Sequence, residues 1–348
     1  MDTGLSVNAI NHQLDSALPS HNRPISVAVL LATHNCETFV AQQIRSLADN
    51  RTKFKLYWLD DHSVDNTRDT VRSTAQQAGI DLVEQHYPVH LGLPSSFFQL
   101  LDSVEADIYL FCDQDDVWQC GKIDVAVDNM ACDINRPILT FSDSILFYEN
   151  EARPRRRLSD TVGARRVRIA LQSPPMFEVF SRAIAPGHTQ AFTRSVRDVY
   201  LRHRDIAREH AFMHDWWIHD ITIAFGTARM LVDAPTALWR QHSLSFCARY
   251  TPSRKIAQKW NRAQHWRQVI AKHMLGLVLC TPTLPDGVHK ERLCRLGQLL
   301  SNIHRRQTPF QVLKMLRHRA FPQSFQSALI FVIACLFSDA PAVSARER

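Results

Sequence analysis

The sequence predicts an α/β fold, a mainly parallel sheet flanked by helices, followed by a helical C-terminal part. Two observations carry this prediction. From Ile25 to about Ser142, short apolar runs alternate with stretches of helical period, and repeated strand–helix–strand units build parallel sheets with right-handed crossovers. Several runs stop at polar, Asp-rich turns, and ligands of such sheets bind outside the carboxyl ends of the strands.

Ile25–Ala32 is a nearly continuous apolar run, as expected of a strand covered on both faces. Val40, Ile44 and Leu47 then recur at helical spacing. Phe54–Leu59 reads as a second strand, ending at Asp60-Asp61. Asp65 can cap the next helix, which has Val71, Ala75 and Ala78 on one face and Gly79 at its end. Ile80–Glu84 is a short third strand, and Phe97, Leu101 and Val104 mark the following helix. Asp107–Cys112 is a fourth strand that stops at Asp113; Ile123, Val127 and Met130 share a helix face, and Ile138–Phe141 makes a fifth strand. Farther on, Gly187–Thr193 reads as a strand, Asp215–Phe225 as a helix closed by Gly226, and Ala228–Val232 as a strand. From Arg254 the chain is basic and helical, broken at Pro282, Pro285 and Pro309. The expected organisation is a tail at 1–24, a domain at 25–250 and a basic helical region at 251–348.

Composition excludes several classes. A chain of 348 residues that is 45% hydrophobic and 22% charged is globular, not disordered. Its net charge of +7 favours anionic partners, yet no nucleic-acid module or aromatic–basic stripe accompanies it, so nucleic acid is not expected. The 8 cysteines form no CxxC pair, which argues against a zinc ribbon or a thioredoxin motif and for a reducing, cytoplasmic setting. His210 and His214 lack the glutamate of HExxH, no GxGxxG follows the first strand, and no P-loop is present. Residues 1–24 do not read as a signal peptide. Ala320–Ser338 carries no charge, but its apolar core is only the 10 residues Ala328–Phe337, against the ~20 needed to cross a bilayer. That leaves a buried helix or a peripheral membrane contact helped by Arg317 and Arg319.

Asp113-Gln114-Asp115-Asp116 is the strongest chemical signal. Three carboxylates within four residues repel one another unless a positive group compensates, and Mg²⁺ or Mn²⁺ fits oxygen ligands. A helix cap would need only one of them. Asp60-Asp61 is either an Asx-turn or an acceptor for a nucleotide's ribose or base. His214-Asp215-Trp216-Trp217 is either an N-cap over a hydrophobic staple or a general base in an aromatic pocket, and the motif alone leaves both open.

The ordered series ISVAVLLATHNCETFVAQQIRSL, LDDHSVDNT, HLGLPSSF and DIYLFCDQDDVW resembles the N-terminal half of inverting family 2 glycosyltransferases of the GT-A fold. GHTQAFTRS with MHDWWIHDITIAFGTARMLVDAPTALWRQH is similar to their rhamnosyltransferase-like branch. The resemblance covers about Ile25 to His242. It implies a nucleotide-sugar-binding half at 25–143 and an acceptor-binding half at 144–250. It further implies that Thr33 and Glu37 contact the donor nucleotide, that Asp61 binds its base, and that Asp113 and Asp115 form the DxD, with Asp115 on the metal. Asp215 matches the catalytic base, Trp216 the neighbouring acceptor-site aromatic, and His242 a residue near the metal or diphosphate. His90 stands where the family usually has Asn. The implied activity is transfer of a sugar, rhamnose first, from dTDP-rhamnose or a UDP-sugar to a saccharide or lipid-linked glycan in polysaccharide or O-antigen assembly, with Mn²⁺ or Mg²⁺ as cofactor. A catalytically silent nucleotide-sugar-binding or scaffold subunit is the alternative on the same fold.

Overall fold

The computed structural model describes residues 24–148, 156–158, 185–231, 236–242, 245, 256–284, 286, 288–300, 302–312, 332–337 and 339. The first half follows the expected alternation: β1 (Val27–Thr33), α1 (Val40–Leu47), β2 (Lys55–Asp60), α2 (Thr67–Gln77), β3 (Asp81–Gln85), α3 (Ser95–Ser103) and β4 (Ile108–Cys112). A two-residue strand β5 (Val117–Trp118) precedes α4 (Lys122–Met130), β6 (Ile138–Ser142), β7 (Ser144–Phe147) and β8 (Arg156–Arg157). Then come β9 (Gln190–Thr193), α5 (Arg194–Arg202), α6 (Arg204–His210), α7 (His214–Phe225), β10 (Thr227–Leu231) and β11 (Ala237–Arg240). Two long C-terminal helices follow, α8 (Ile256–Cys280) and α9 (Val288–Leu300).

Seven strands form one sheet in the order β10-β6-β9-β4-β1-β2-β3. All its pairings are parallel except those of β9, which runs antiparallel between β4 and β6. Strand β1 explains why its sequence is apolar throughout. Val27, Val29 and Leu31 pack into one hydrophobic cluster, whereas Ala28 and Leu30 pack into the other. Both faces are therefore covered, and each buried Val or Leu contributes about 1.5–3 kcal/mol. Strands β5, β11, β7 and β8 make a smaller second sheet beside the C-terminal end of β4.

The expected strand Gly187–Thr193 is shorter. Gly187–Thr189 is a 3-10 turn, because the Thr189 N–H and hydroxyl both donate to the Pro186 carbonyl and close the chain on itself. The strand therefore starts at Gln190.

The basic C-terminal helices are packed against the sheet domain. Met274, Leu277, Leu293, Leu300, Ile303 and Ala334 belong to the same cluster as Leu30, Phe111 and Trp217. Arg267 points inward and is fully buried. Its guanidinium donates to the carbonyls of Ile303, His304, Arg305 and Ala334, and so ties α8 to two later segments. Within the uncharged segment 320–338, residues 332–337 are helical, with Ala334 and Cys335 buried; residues 320–331 and 338 lie outside the described residues, as do the tail 1–23 and most of the Arg-rich stretch 151–168. Among the described residues, no helix is long and apolar enough to cross a membrane.

Candidate active site

The C-terminal ends of β1, β2 and β4 lie on one edge of the sheet, and the expected polar residues gather there. At β1, the Thr33 hydroxyl accepts from Trp58 Nε1 at 2.9 Å and donates to Asp60 Oδ1 at 3.0 Å. Thr33 is 1% exposed, so its side chain braces β1 against β2 and does not face a ligand. This departs from the expected nucleotide contact. The physical reason is strand alternation, which turns Thr33 into the core. Glu37 is exposed and accepts from the Asn66 N–H at 2.8 Å, at the entry to α2. Asp61 is buried, and its two oxygens each accept a backbone N–H, from Leu91 and Gly92, at 2.7 Å. The carboxylate thus pins the His90-Leu91-Gly92 turn. His34 and His90 both bond the Asp61 carbonyl, and their rings stand 4.7 Å apart beside it.

After Cys112 the chain leaves the sheet through the Asp113–Asp116 turn, and its carboxylates point in different directions. Asp115 Oδ2 lies 2.8 Å from His242 Nε2, just beyond the end of β11. The two residues expected at a metal are therefore brought together. Behind them, His188 Nδ1 lies 3.3 Å from Asp116 Oδ2 and 3.6 Å from Asp113 Oδ2. Arg240 is buried beneath this turn; its N–H donates to Asp116 Oδ1 at 2.9 Å and its Nε to the Asp115 carbonyl at 2.6 Å. Lys122 is buried as well, with its ammonium donating to the His188 carbonyl and sitting 4.0 Å over the Trp118 ring.

Electrostatics divide these carboxyls. Burial pushes Asp116 up to about 7, with Asp115 and Asp113 adding repulsion against the pull of His188. Burial also opposes ionisation of Asp113, but its bond to His188 together with the positive fields of His188, His214 and Lys122 holds it below the usual carboxylate value. Burial alone would lower His188, yet the nearby Asp116 and Asp113 raise it. Lys122 is brought down to about 7 by burial.

The donor set fits a divalent ion. Asp113, Asp116 and His188 offer ligand atoms within 4.8 Å of one another. Asp116 Oδ2, His188 Nε2 and His242 Nδ1 are buried with no hydrogen-bond partner. Carboxylate oxygens suit Mg²⁺ and Mn²⁺, and an imidazole nitrogen beside them favours Mn²⁺ over the harder Mg²⁺. Asp115 and His242 would hold such an ion from one side, with Asp113 beside them.

Asp215 lies in the first turn of α7. Its Oδ2 accepts the Gly187 N–H at 2.9 Å and its Oδ1 the N–H of Trp216 at 2.7 Å. Burial pushes its carboxyl above the usual value, with His214 opposing and Asp113 adding to the rise. The side chain is half-buried. Trp216 departs from expectation: it is 2% exposed and stacks on His273 of α8, with ring centroids 4.7 Å apart. The helix turns this ring away from the cleft into the core, so it does not line an acceptor site. Sequence reasoning misses His188, Lys122 and Arg240 as site residues. His188 and Arg240 lie inside stretches that carry the resemblance and Lys122 just past one, but only the tertiary contacts bring them to the acidic turn.

Solved structures share this architecture. The chain matches S. aureus TarS residues 1–349 in complex with UDP-GlcNAc with a TM-score of 0.54 and 14% identity, covering 90% of this chain and 84% of that one. It matches the mannosyltransferase PcManGT from Pyrobaculum calidifontis, in complex with GDP-Man and Mn²⁺, with a TM-score of 0.52 and 15% identity, over 91% and 88% of the two chains. A mainly parallel sheet with one antiparallel strand, carrying its acidic turn at the end of β4, thus defines the GT-A glycosyltransferase fold. Residues 28–140 match the model of glycosyl transferase family 2. Among its relatives is the dTDP-rhamnosyl transferase RfbG of Shigella flexneri, 24% identical over 251 residues, which are 67% of this chain and 81% of RfbG.

Proposed function

We propose that this glycosyltransferase moves rhamnose from dTDP-rhamnose to a saccharide or lipid-linked glycan acceptor, with inversion, in polysaccharide or O-antigen assembly. The similarity to RfbG supports the donor. The observation that carries the chemistry is the Gly187-His188 dipeptide. Gly187 bonds Asp215, while the adjacent His188 faces Asp113 and Asp116. The base and the acidic turn are thereby held on either side of one short turn.

In the reaction, Asp215 accepts the proton of the acceptor hydroxyl as that oxygen attacks the anomeric carbon. The bond to the nucleoside diphosphate breaks on the opposite face, which inverts the centre. The Gly187 and Trp216 N–H groups keep the carboxylate aimed, and general-base help of this kind contributes roughly 10²–10⁴-fold. Asp115 and His242 would hold a divalent ion, which would supply Lewis-acid stabilisation of the departing diphosphate. His188 and Arg240 keep the Asp113–Asp116 turn in shape. A silent subunit has no need of such an assembly, and Asp113, Asp115 and Asp215 all stand in place.

A thermal-shift screen with Mn²⁺ and dTDP-rhamnose, UDP-GlcNAc and GDP-mannose tests the donor. Ligand at 100 times its Kd stabilises by ~2.7 kcal/mol. A shift with dTDP-rhamnose above the other two is expected, and equal or absent shifts would count against this donor.

A further inference from the structure

Asp220 is buried between α7 and α8 with a histidine at each oxygen. Its Oδ1 lies 2.9 Å from His219 Nδ1 and its Oδ2 3.1 Å from His273 Nε2. All three side chains are at most 1% exposed. Burial pushes the Asp220 carboxyl far up, and pushes His219 and His273 each down to about 3. Burial thus disfavours charge on all three groups, and each imidazole stays within hydrogen-bond distance of one carboxyl oxygen.

This cluster reaches the first turn of α7, which carries Asp215, through Trp216. Asp220 and Asp215 share α7, and the ring of Trp216, the next residue, stacks on His273 at 4.7 Å with an interplanar angle of 23°. Trp217 meets His273 edge-on at 5.3 Å. The two helices approach so closely here that a Cβ on Gly276 would lie 2.9 Å from the Trp217 ring and 2.5 Å from His210 Cβ. We infer that His273 is a positioning residue: by bonding Asp220 and stacking on Trp216, it sets the rotation and depth of the first turn of α7, and so the placement of Asp215 against Gly187. The C-terminal helical part is then a component of the active site. The inference rests on the reading of Asp215 as the base.

The test compares two amides at one position in the full-length protein. His273→Gln sets a nitrogen near the place of Nε2, while His273→Asn falls short of Asp220. Hydrogen exchange at the Gly187 amide reads the contact with Asp215 without any substrate. His273→Asn is expected to speed that exchange at least ~10-fold while amides of β1 keep their rates, and His273→Gln is expected to behave as wild type. Asp220→Leu, which removes both bonds without burying a charge, should repeat the Asn result from the other side. An unchanged Gly187 rate, equal acceleration in both amide variants, or acceleration shared with β1 would overturn the inference. In turnover, His273→Asn should lower kcat with the donor KM within about twofold. If Asp215→Asn abolishes turnover while His273→Asn keeps normal kcat, the positioning role fails. If Asp215→Asn keeps normal turnover, the base assignment fails, and the exchange result still decides whether His273 places that carboxylate.

Discussion

The Gly187 backbone N–H donates to Asp215 Oδ2 at 2.9 Å, joining two residues 28 positions apart. This contact leaves little space for a side chain at 187. A Cβ there would stand 3.2 Å from His214 Nε2 and 3.3 Å from Asp215 Cβ. Gly187→Ala is therefore expected to displace the carboxylate and cut kcat by roughly 10-fold or more, because small misplacements of a catalytic group are costly. Donor binding should hold, and titration with nucleotide sugar checks that half.

Asp215→Asn keeps shape and removes basicity. Turnover should fall at least ~10²-fold with donor affinity nearly unchanged. The wild-type pH profile should reflect the same group. Only the ionised carboxylate accepts a proton, and burial raises its pKa. Activity is therefore lost as pH falls, at a pH above the ordinary carboxylate range, and the Asn variant should lack that acid limb.

Asp115→Ala should remove the Mn²⁺ dependence of nucleoside diphosphate binding, since it deletes one of two donors standing 2.8 Å apart. His242→Ala should weaken the same dependence. Calorimetry with and without Mn²⁺ reads both, and a variant with unchanged metal-dependent affinity would place the ion elsewhere.

Gly226 closes α7 against the sheet. A Cβ there would lie 1.9 Å from the Pro137 carbonyl oxygen, which already accepts the Thr227 N–H at 3.0 Å. Neither group can yield without breaking the start of β10. Gly226→Ala should cost about 1–3 kcal/mol in denaturant unfolding, as overpacking does.

Asp124 accepts from the Arg51 N–H and from the Thr52 N–H and hydroxyl, at 3.1, 2.8 and 2.6 Å. Burial opposes ionisation here, but these bonds outweigh it and hold the carboxyl at about 2. A depressed carboxyl contributes stability that is complete above the unfolded value near 3.8 and is lost as pH falls toward 2. Asp124→Ala should cost about 1–3 kcal/mol at neutral pH by orphaning those donors, and its deficit should shrink in acid.

Much of the site is legible in the residues themselves. The Asp113–Asp116 cluster is readable because unpaired carboxylates repel, and three in one turn call for compensating positive or donor groups, which His188 and Arg240 supply in part. Asp215 is harder. Its motif suits a cap as well as a base; in the structure it is not the cap but lies in the first turn of α7, where it accepts the Trp216 and Gly187 N–H groups. Thr33 and Trp216 depart from expectation for one reason. Proximity in sequence to a site does not say which way a side chain turns, and strand or helix geometry sends both into the core.

By itself, the sequence determined the parallel half of the sheet, because period and turn residues are local properties of the chain. It also determined the residue types at each strand end. Tertiary structure alone decided that β9 runs antiparallel between β4 and β6, bringing His188 to Asp113 and Asp116. It alone turned the basic C-terminal helix inward, burying Arg267 among carbonyls and His273 against Asp220. The burial of Arg267 and His273 depends on partners 36 to 67 residues away. A local pattern records a residue's polarity, whereas burial of a charged or polar group becomes favourable only once distant hydrogen-bond partners are assembled around it.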